Sequence, residues 1–328
     1  MEFNFIDLCA GIGGFRIGME SIGGKCILSA DIDKKVSEMY HDVHNISEDE
    51  EYISDLFDIP LDGDYNIDVI CAGFPCQPFS SAGLKRGFED PRGNVFFGIM
   101  NLVKAYEPKV VFLENVKPLI NHDNGNTMNT IVSNLENEGY YVSYKILNNN
   151  NFGLPQNRER VFIVASKNKK FYFNKLGYNK TEPLKSILLD EERKYIDEND
   201  YSIKPKHLWG KNVKSGLRYV GHVKLNRKNL RKGFTDPLKT GGHSENSRIY
   251  HINGNIHTAT ASTKTYYVYD EKGVFLLTPE DMLVCQGFKR NFLDGVGSWN
   301  SKMKAIGNSV CPVITTEISK EMRNQNIL

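Results

Sequence analysis

Through the first third of the chain, short apolar runs alternate with amphipathic ones. FNFIDL (3–8) has the length and composition of a strand; a glycine turn follows it, and GFRIGMESI (14–22) then carries apolar residues at helical spacing. CILSAD (26–31) precedes a helical KKVSEMYHDV, and IDVICAG (67–73) precedes a proline-bounded loop. The helical NVFFGIMNLVKAY (94–106) precedes KVVFLEN (109–115). Strands alternating with helices predict a parallel sheet covered on both faces, an α/β fold whose ligands bind beyond the carboxyl ends of the strands. The glycine turn, Asp31, the proline loop and Glu114 all fall at such ends.

The pattern loosens between residues 176 and 277, where basic, glycine-rich and Asn/Ser/Thr-rich sequence holds short β-like pieces: GLRYVGHV, SRIYHI and TYYVYD. This stretch reads as a smaller, β-rich domain, with 1–175 and 278–328 forming the larger one. Regular signals return at Thr278, which with Asp281 three residues on reads as a helix N-cap pair and has Pro279 at the first helical position. PVITTEISKEMRN predicts a closing helix.

At 40% hydrophobic and 25% charged residues, the 328-residue chain has the balance of a water-soluble globular protein. No apolar run approaches the roughly 18 residues of a membrane span, so no membrane partner is expected. The N-terminus lacks the basic start of a secretion signal, and a cytoplasmic location is expected. Six cysteines, at 9, 26, 71, 76, 285 and 311, show neither CxxC nor metal-ligand spacing, so no metal is expected. The net charge of +1 hides an asymmetry: residues 1–70 carry sixteen Asp/Glu against four Lys/Arg, whereas 201–250 carry twelve Lys/Arg against Asp236 and Glu245. That distribution suggests a polyanion partner for the later region, although a solvated lysine-rich face would look the same.

Two stretches stand out chemically. DLCAGIGG (7–14) is a strand-to-helix glycine turn that brings backbone close to a ligand; it lacks the third glycine of the dinucleotide fingerprint, which weakens a nicotinamide reading. Asp31, about twenty residues on, is positioned for ribose hydroxyls or is a plain turn aspartate. GFPCQPFS (73–80) holds Cys76 between Pro75 and Pro78, each of which fixes its own φ and restricts the residue before it, so the thiol sits on a stiff loop. In QNRERVFIVA (156–165), Arg158 and Arg160 stand two apart and project to one face if the segment is extended.

Taken together, in order, FIDLCAGIGGFR, GFPCQPFS, ENV (114–116), QNRERVFIVA and GNSV (307–310) resemble the bacterial DNA (cytosine-5)-methyltransferases of restriction-modification systems, over nearly the whole chain apart from the basic central region. The resemblance implies a Rossmann-like S-adenosylmethionine-dependent methyltransferase sheet with a smaller target-recognition domain, and S-adenosyl-L-methionine as cofactor. It implies Cys76 as the nucleophile that adds to cytosine C6 and Glu114 as the acid at N3, which predicts a carboxyl raised by burial. It implies Arg160 at the cytosine O2 edge and Arg158 at the phosphate near the thiol. For the cofactor it implies Gly11, Gly13, Phe15, Asp31, Asp55 and Asn308.

Double-stranded DNA is the implied partner, with the target base turned out of the stack. Gln77 would fill the hole it leaves; Ser80, Lys85, Arg86 and Arg92 lie on a glycine-bearing lid sequence. Lys228, Arg231 and Arg248 belong to the basic span that would neutralise phosphates, and Thr258 matches a backbone-positioning threonine. Two departures stand against the family pattern: TPEDMLVCQGF lacks its usual arginine, and Ile32 replaces a common aromatic after Asp31. A self-contained site permits a monomer, working beside a cognate endonuclease without a stable complex. The same chemistry on RNA, a nicotinamide oxidoreductase and an inactive DNA-binding module are the competing readings; the last two leave the cysteine, glutamate and arginines without a role.

Overall fold

The computed structural model describes residues 2–75, 95–189, 193–209, 219–223, 247–262 and 265–328. Along the chain run β1 (Phe3–Leu8), α1 (Gly14–Glu20), β2 (Gly24–Ala30), α2 (Lys34–His44), β3 (Glu51–Ile53), β4 (Val69–Gly73), α3 (Val95–Tyr106) and β5 (Val110–Val116). Next come α4 (Asn126–Asn137), β6 (Tyr141–Asn148), β7 (Gln156–Asn157), β8 (Glu159–Ser166), α5 (Leu184–Ile187), β9 (Tyr201–Ile203) and β10 (Tyr219–Val223). The chain closes with β11 (Arg248–His251), β12 (Ile256–His257), β13 (Tyr267–Asp270), β14 (Gly273–Leu276), α6 (Pro279–Gln286), α7 (Trp299–Asn308) and α8 (Pro312–Asn324). Among the described residues no helix is long and apolar enough to cross a membrane.

Two compact units form: Met1–Asn148 with Glu159–Tyr178 and Ser309–Leu328, and Asn149–Arg158 with Asn179–Asn308. The first holds a seven-stranded sheet of order β3-β2-β1-β4-β5-β8-β6. Its central strands, such as VICAG and VVFLENV, are apolar on both faces because helices cover both, as in other parallel sheets. The order reverses beside β1, so the β1 and β4 ends flank a switch point, where open α/β sheets bind ligands.

The sheet is not wholly parallel. β8 runs antiparallel to both β5 and β6. A parallel crossover needs a dozen or more residues, usually a helix, whereas the ten residues between β6 and β8 hold only a turn and the two-residue β7.

Local sequence explains the helix ends. The Asp33 carboxylate accepts from the Lys35 and Val36 amides to start α2. Thr278 and Asp281 form the expected reciprocal capping box ahead of α6, with Pro279 at its first position. α1 packs on α8 through glycines: a Cβ at Gly14 would stand 2.2 Å from the Val310 carbonyl oxygen, and one at Gly18 would stand 2.7 Å from Thr315 Oγ1. The second unit carries a five-stranded sheet of order β14-β13-β11-β10-β9 and the short β12-β7 pair. The three β-like pieces of the basic region correspond to β10, β11 and β13.

Candidate active site

The chain leaves β1 through Cys9 and Gly11, with φ of 51° and 59°, and enters α1 at Gly13, with φ of 82°. At Gly11 nothing lies within 4 Å of where a Cβ would stand; at Gly13 a Cβ would meet His44 Nε2 at 2.0 Å. So one glycine leaves open space and the other admits a close neighbour. The structure brings Asp31 to this turn: its Oδ2 accepts from the Gly11 amide at 2.9 Å and its Oδ1 from the Asp33 amide at 2.9 Å. Asp31 also lines a cleft of about 690 Å³ with Ile32, Ser37, Tyr52 and Ser54, where the Tyr52 hydroxyl donates to the Asp31 carbonyl at 2.6 Å. Ile32 is 79% exposed there. Asp55 caps the short turn Leu56–Asp58 by accepting from the Phe57 amide at 3.1 Å. Phe15 is buried edge-on against Phe112, with centroids 4.8 Å apart.

Beneath the turn lies a buried polar network of residues that sequence reasoning did not single out. Arg16 Nη1 donates to Glu50 Oε1 at 2.7 Å and to the Tyr40 hydroxyl at 3.2 Å, while its Nε donates to Glu20 at 2.7 Å. Ser29 donates to Glu50 at 3.0 Å, and the Tyr40 hydroxyl donates to Asp7 at 3.4 Å. Burial pushes the Asp7 carboxyl well above its ordinary value; Arg16 opposes this, and Asp31 and Glu50 add to it. Burial and then the Arg16 charge pull the His44 imidazole from 6.5 to about 4, so the neutral ring donates from Nε2 to the Ile12 carbonyl at 3.1 Å. Arg16 stands inside FIDLCAGIGGFR, and that is the one signal the sequence offered.

The second group gathers at the ends of β4 and β5. Gly73 pairs in register with Glu114, and Asn115 Nδ2 donates to the Phe74 carbonyl at 2.9 Å, fastening the start of the proline loop. Glu114 and Asn115 are both buried. From β8, Arg160 Nε reaches Glu114 Oε1 at 3.1 Å. Burial lowers the Arg160 guanidinium from its ordinary value and Glu114 works against that, so a cation of this type remains charged.

Arg158 has different partners, since the segment breaks between β7 and β8 rather than running as one strand. Only 2% exposed, its Nη1 donates to the carbonyl oxygens of Ala259 at 2.5 Å and Gly307 at 3.1 Å. Beside it the Thr258 hydroxyl donates to the Asn157 carbonyl at 2.7 Å. Asn308 ends α7 exposed, and Arg248 lies half-buried on β11. Cys76, Gln77, Ser80, Lys85, Arg86, Arg92, Lys228 and Arg231 lie outside the described residues.

The five described cysteines are free thiols. Burial pushes Cys9 up to about 12, with Asp31, Asp7 and Asp55 adding, and raises Cys26, Cys71 and Cys285 as well. Thiolate chemistry therefore does not fall to these four. Asp281 of TPEDMLVCQGF is met by two cations from outside that helix: Arg290 and Arg193 reach its two oxygens at 2.8 and 3.2 Å.

A family model described as C-5 cytosine-specific DNA methylase matches residues 3–324. The chain is 35% identical over 328 residues to the Type II methyltransferase M.HpaII of Haemophilus parainfluenzae, across 94% of this chain and 86% of that one. It is also 35% identical over 328 residues to M.HaeII of Haemophilus aegyptius, across 98% and 93%. Among solved structures, a mutant DNMT2 of Spodoptera frugiperda superposes with a TM-score of 0.69 over 98% of this chain and 99% of that one. At 17% identity, that likeness is one of fold.

Proposed function

The chain belongs to the C-5 cytosine-specific DNA methylases, a family of DNA (cytosine-5-)-methyltransferases, and from that premise we propose that it methylates a cytosine turned out of a DNA duplex through a covalent Cys76 adduct. The observation that carries this reading is the Glu114–Arg160 pair, 3.1 Å apart with Glu114 buried and Arg160 half-buried, on strands whose register sets Glu114 beside Gly73, three residues before Cys76. A carboxyl group and a guanidinium side by side match the N3 and O2 edge of a cytosine.

The Cys76 thiolate adds to C6 of the base, and the ring nitrogen N3 takes a proton from Glu114. Arg160, whose Nε lies 3.1 Å from Glu114 Oε1, would hold the O2 edge of the same base. With electron density raised at C5, the ring takes the methyl group and N3 returns its proton to Glu114; loss of the C5 proton to water and departure of the thiolate then restore the aromatic base.

The residues around the first turn fit S-adenosyl-L-methionine, which would supply the methyl carbon on a sulfonium. Gly11 leaves open space, Gly13 lets the turn close against His44, and Asp31 is fixed by two amides at the mouth of a cleft. Asp55 and Phe15 belong to the same unit, and the resemblance adds Asn308 as a further cofactor residue. Residues 176–277 carry target recognition, with Lys228, Arg231 and Arg248 on phosphates, and the protein acts as a monomer alongside a cognate endonuclease.

Mass spectrometry after incubation with S-adenosylmethionine and duplexes carrying 5-fluorocytosine tests this reading. Fluorine at C5 cannot leave as a proton, so the expected product is a protein–DNA adduct mapping to Cys76. Cys76→Ala should form none and lose methyl transfer, while Glu114→Gln should slow transfer by about 10²–10⁴-fold. Labelled methyl reaching RNA and not DNA would reverse the substrate, and turnover by Cys76→Ala would sink the covalent route.

A further inference from the structure

The two units are joined by four passages of the chain, at 148/149, 158/159, 178/179 and 308/309. Three of them meet at one residue of the second unit. Arg158 is itself the last residue before the second passage, and its carbonyl accepts from the Asn149 amide at 3.1 Å, the first residue after the first passage. Its side chain donates to the Gly307 carbonyl, one residue before the chain reaches the fourth passage at Asn308. The third passage is tied in at one remove, since the Asn179 amide donates to the Asn151 carbonyl at 2.8 Å, two residues from Asn149.

The same guanidinium nitrogen also holds the Ala259 carbonyl, and with it the segment that would read the target. That segment is bound to the Arg158 loop along its length. Ile256 and His257 pair with Gln156 and Asn157, the Ile256 amide donates to the Pro155 carbonyl at 2.9 Å, and Thr258 caps Asn157. Gly307 is equally fitted to the junction: a Cβ there would stand 2.3 Å from the Thr260 carbonyl carbon. A side chain 2% exposed and directed at backbone carbonyls on segments 101 and 149 residues away fixes the course of those segments.

We propose that Arg158 is a positioning residue, a knot within the second unit that holds the recognition segment 256–260, the loop 149–158 and the turn at 307–308 in one geometry. The resemblance implied a phosphate contact beside the thiol instead, and the two roles respond differently to substitution. The inference rests on the proposed function only for what the knot serves, and its first measurement needs neither DNA nor cofactor.

Hydrogen exchange on the free full-length protein is that measurement. In Arg158→Met, amide protection in peptides spanning 149–158, 256–261 and 305–310 should fall by about tenfold, as loss of a charge-assisted hydrogen bond gives. The central strands β4 and β5 should keep theirs. Arg158→Lys, which keeps the charge and a nitrogen with several donors, should restore most of the protection. Gly307→Ala, which displaces the Thr260 backbone and leaves Arg158 in place, should reproduce the loss and covers the case in which Arg158→Met does not fold. Protection lost uniformly, or not at all, overturns the proposal.

In turnover, Arg158→Met should raise KM for duplex and for S-adenosylmethionine together, with kcat at saturation within about threefold of the parent. A fall in kcat at unchanged KM would mark direct contact with the reacting nucleotide and overturn it too. If the parent protein transfers no methyl group to DNA, the proposed function fails while the exchange result still decides the knot.

Discussion

Arg16 in the first unit and Arg158 in the second are both guanidiniums taken almost wholly out of water, at 6% and 2% exposure, and the bonds described for them differ in kind. Arg16 is met by charge: two carboxylates, Glu20 and Glu50, with Tyr40 and through it Asp7. Arg158 donates to neutral backbone carbonyls of Ala259 and Gly307. The first arrangement binds elements close in sequence, α1, β2 and α2, and stiffens the base of a turn. The second binds segments remote in sequence, and what it fixes is the path of the chain. A buried charge met by charges is costly to break from one side, because its removal strands the partner. A carbonyl left without its donor costs about 1–3 kcal/mol.

The largest effect expected from that contrast is in Arg16. Arg16→Met leaves Glu50 buried without its cation and should cost about 3–5 kcal/mol in urea unfolding. Adding Glu50→Leu should recover at least half of the loss, since the stranded charge goes with it. Should the double variant be no more stable than the single one, the cost lies in lost packing, and the distinction between the two arginines disappears.

How far the sequence reached differs between the two regions for the same physical reason. Gly11, Gly13 and Asp31 were legible because a strand-to-helix turn with positive φ needs glycine, and because the end of β2 must fall beside it in a parallel sheet. Thr278 and Asp281 were legible because a capping box is written in four consecutive residues. The partners of Arg158 were not, since every residue carries a carbonyl and no side-chain pattern marks which one is chosen. The reversal of β8 was hidden likewise: an apolar run buried on both faces reads the same in either direction. The Arg16 network lay between these cases. Its arginine sits in FIDLCAGIGGFR, but Glu50 and Tyr40 lie in acidic, surface-like sequence that gives no sign of burial.

A second effect, of about 3 kcal/mol, sharpens the picture of the first region and depends on pH. His44 binds its proton at about 4 in the folded chain against 6.5 ordinarily. Between those values the unfolded chain takes a proton that the folded one refuses, so the stabilisation is complete above about pH 6.5 and is lost as the pH falls toward 4. His44→Gln should flatten the stability profile in that window and leave the slope above pH 7 unchanged. An identical slope in both proteins would show that the ring stays accessible to protons, and that the turn is not closed over it as Gly13 indicates.

The smallest effect concerns a carboxylate with two cations, which combines both regimes. Asp281 is only 2% exposed in its side chain, and Arg290 and Arg193 each take one of its oxygens. Arg290 also donates from Nη2 to the Ile187 carbonyl at 2.8 Å, so it resembles Arg16 on one side and Arg158 on the other. Arg193→Gln should cost only about 1 kcal/mol, because Arg290 still neutralises the carboxylate. Arg290→Gln should cost slightly more, since Ile187 loses its donor as well. Together the two changes should exceed their sum by about 1–2 kcal/mol, the mark of a shared buried charge. Additive losses in that cycle would mean that each arginine acts through its own packing.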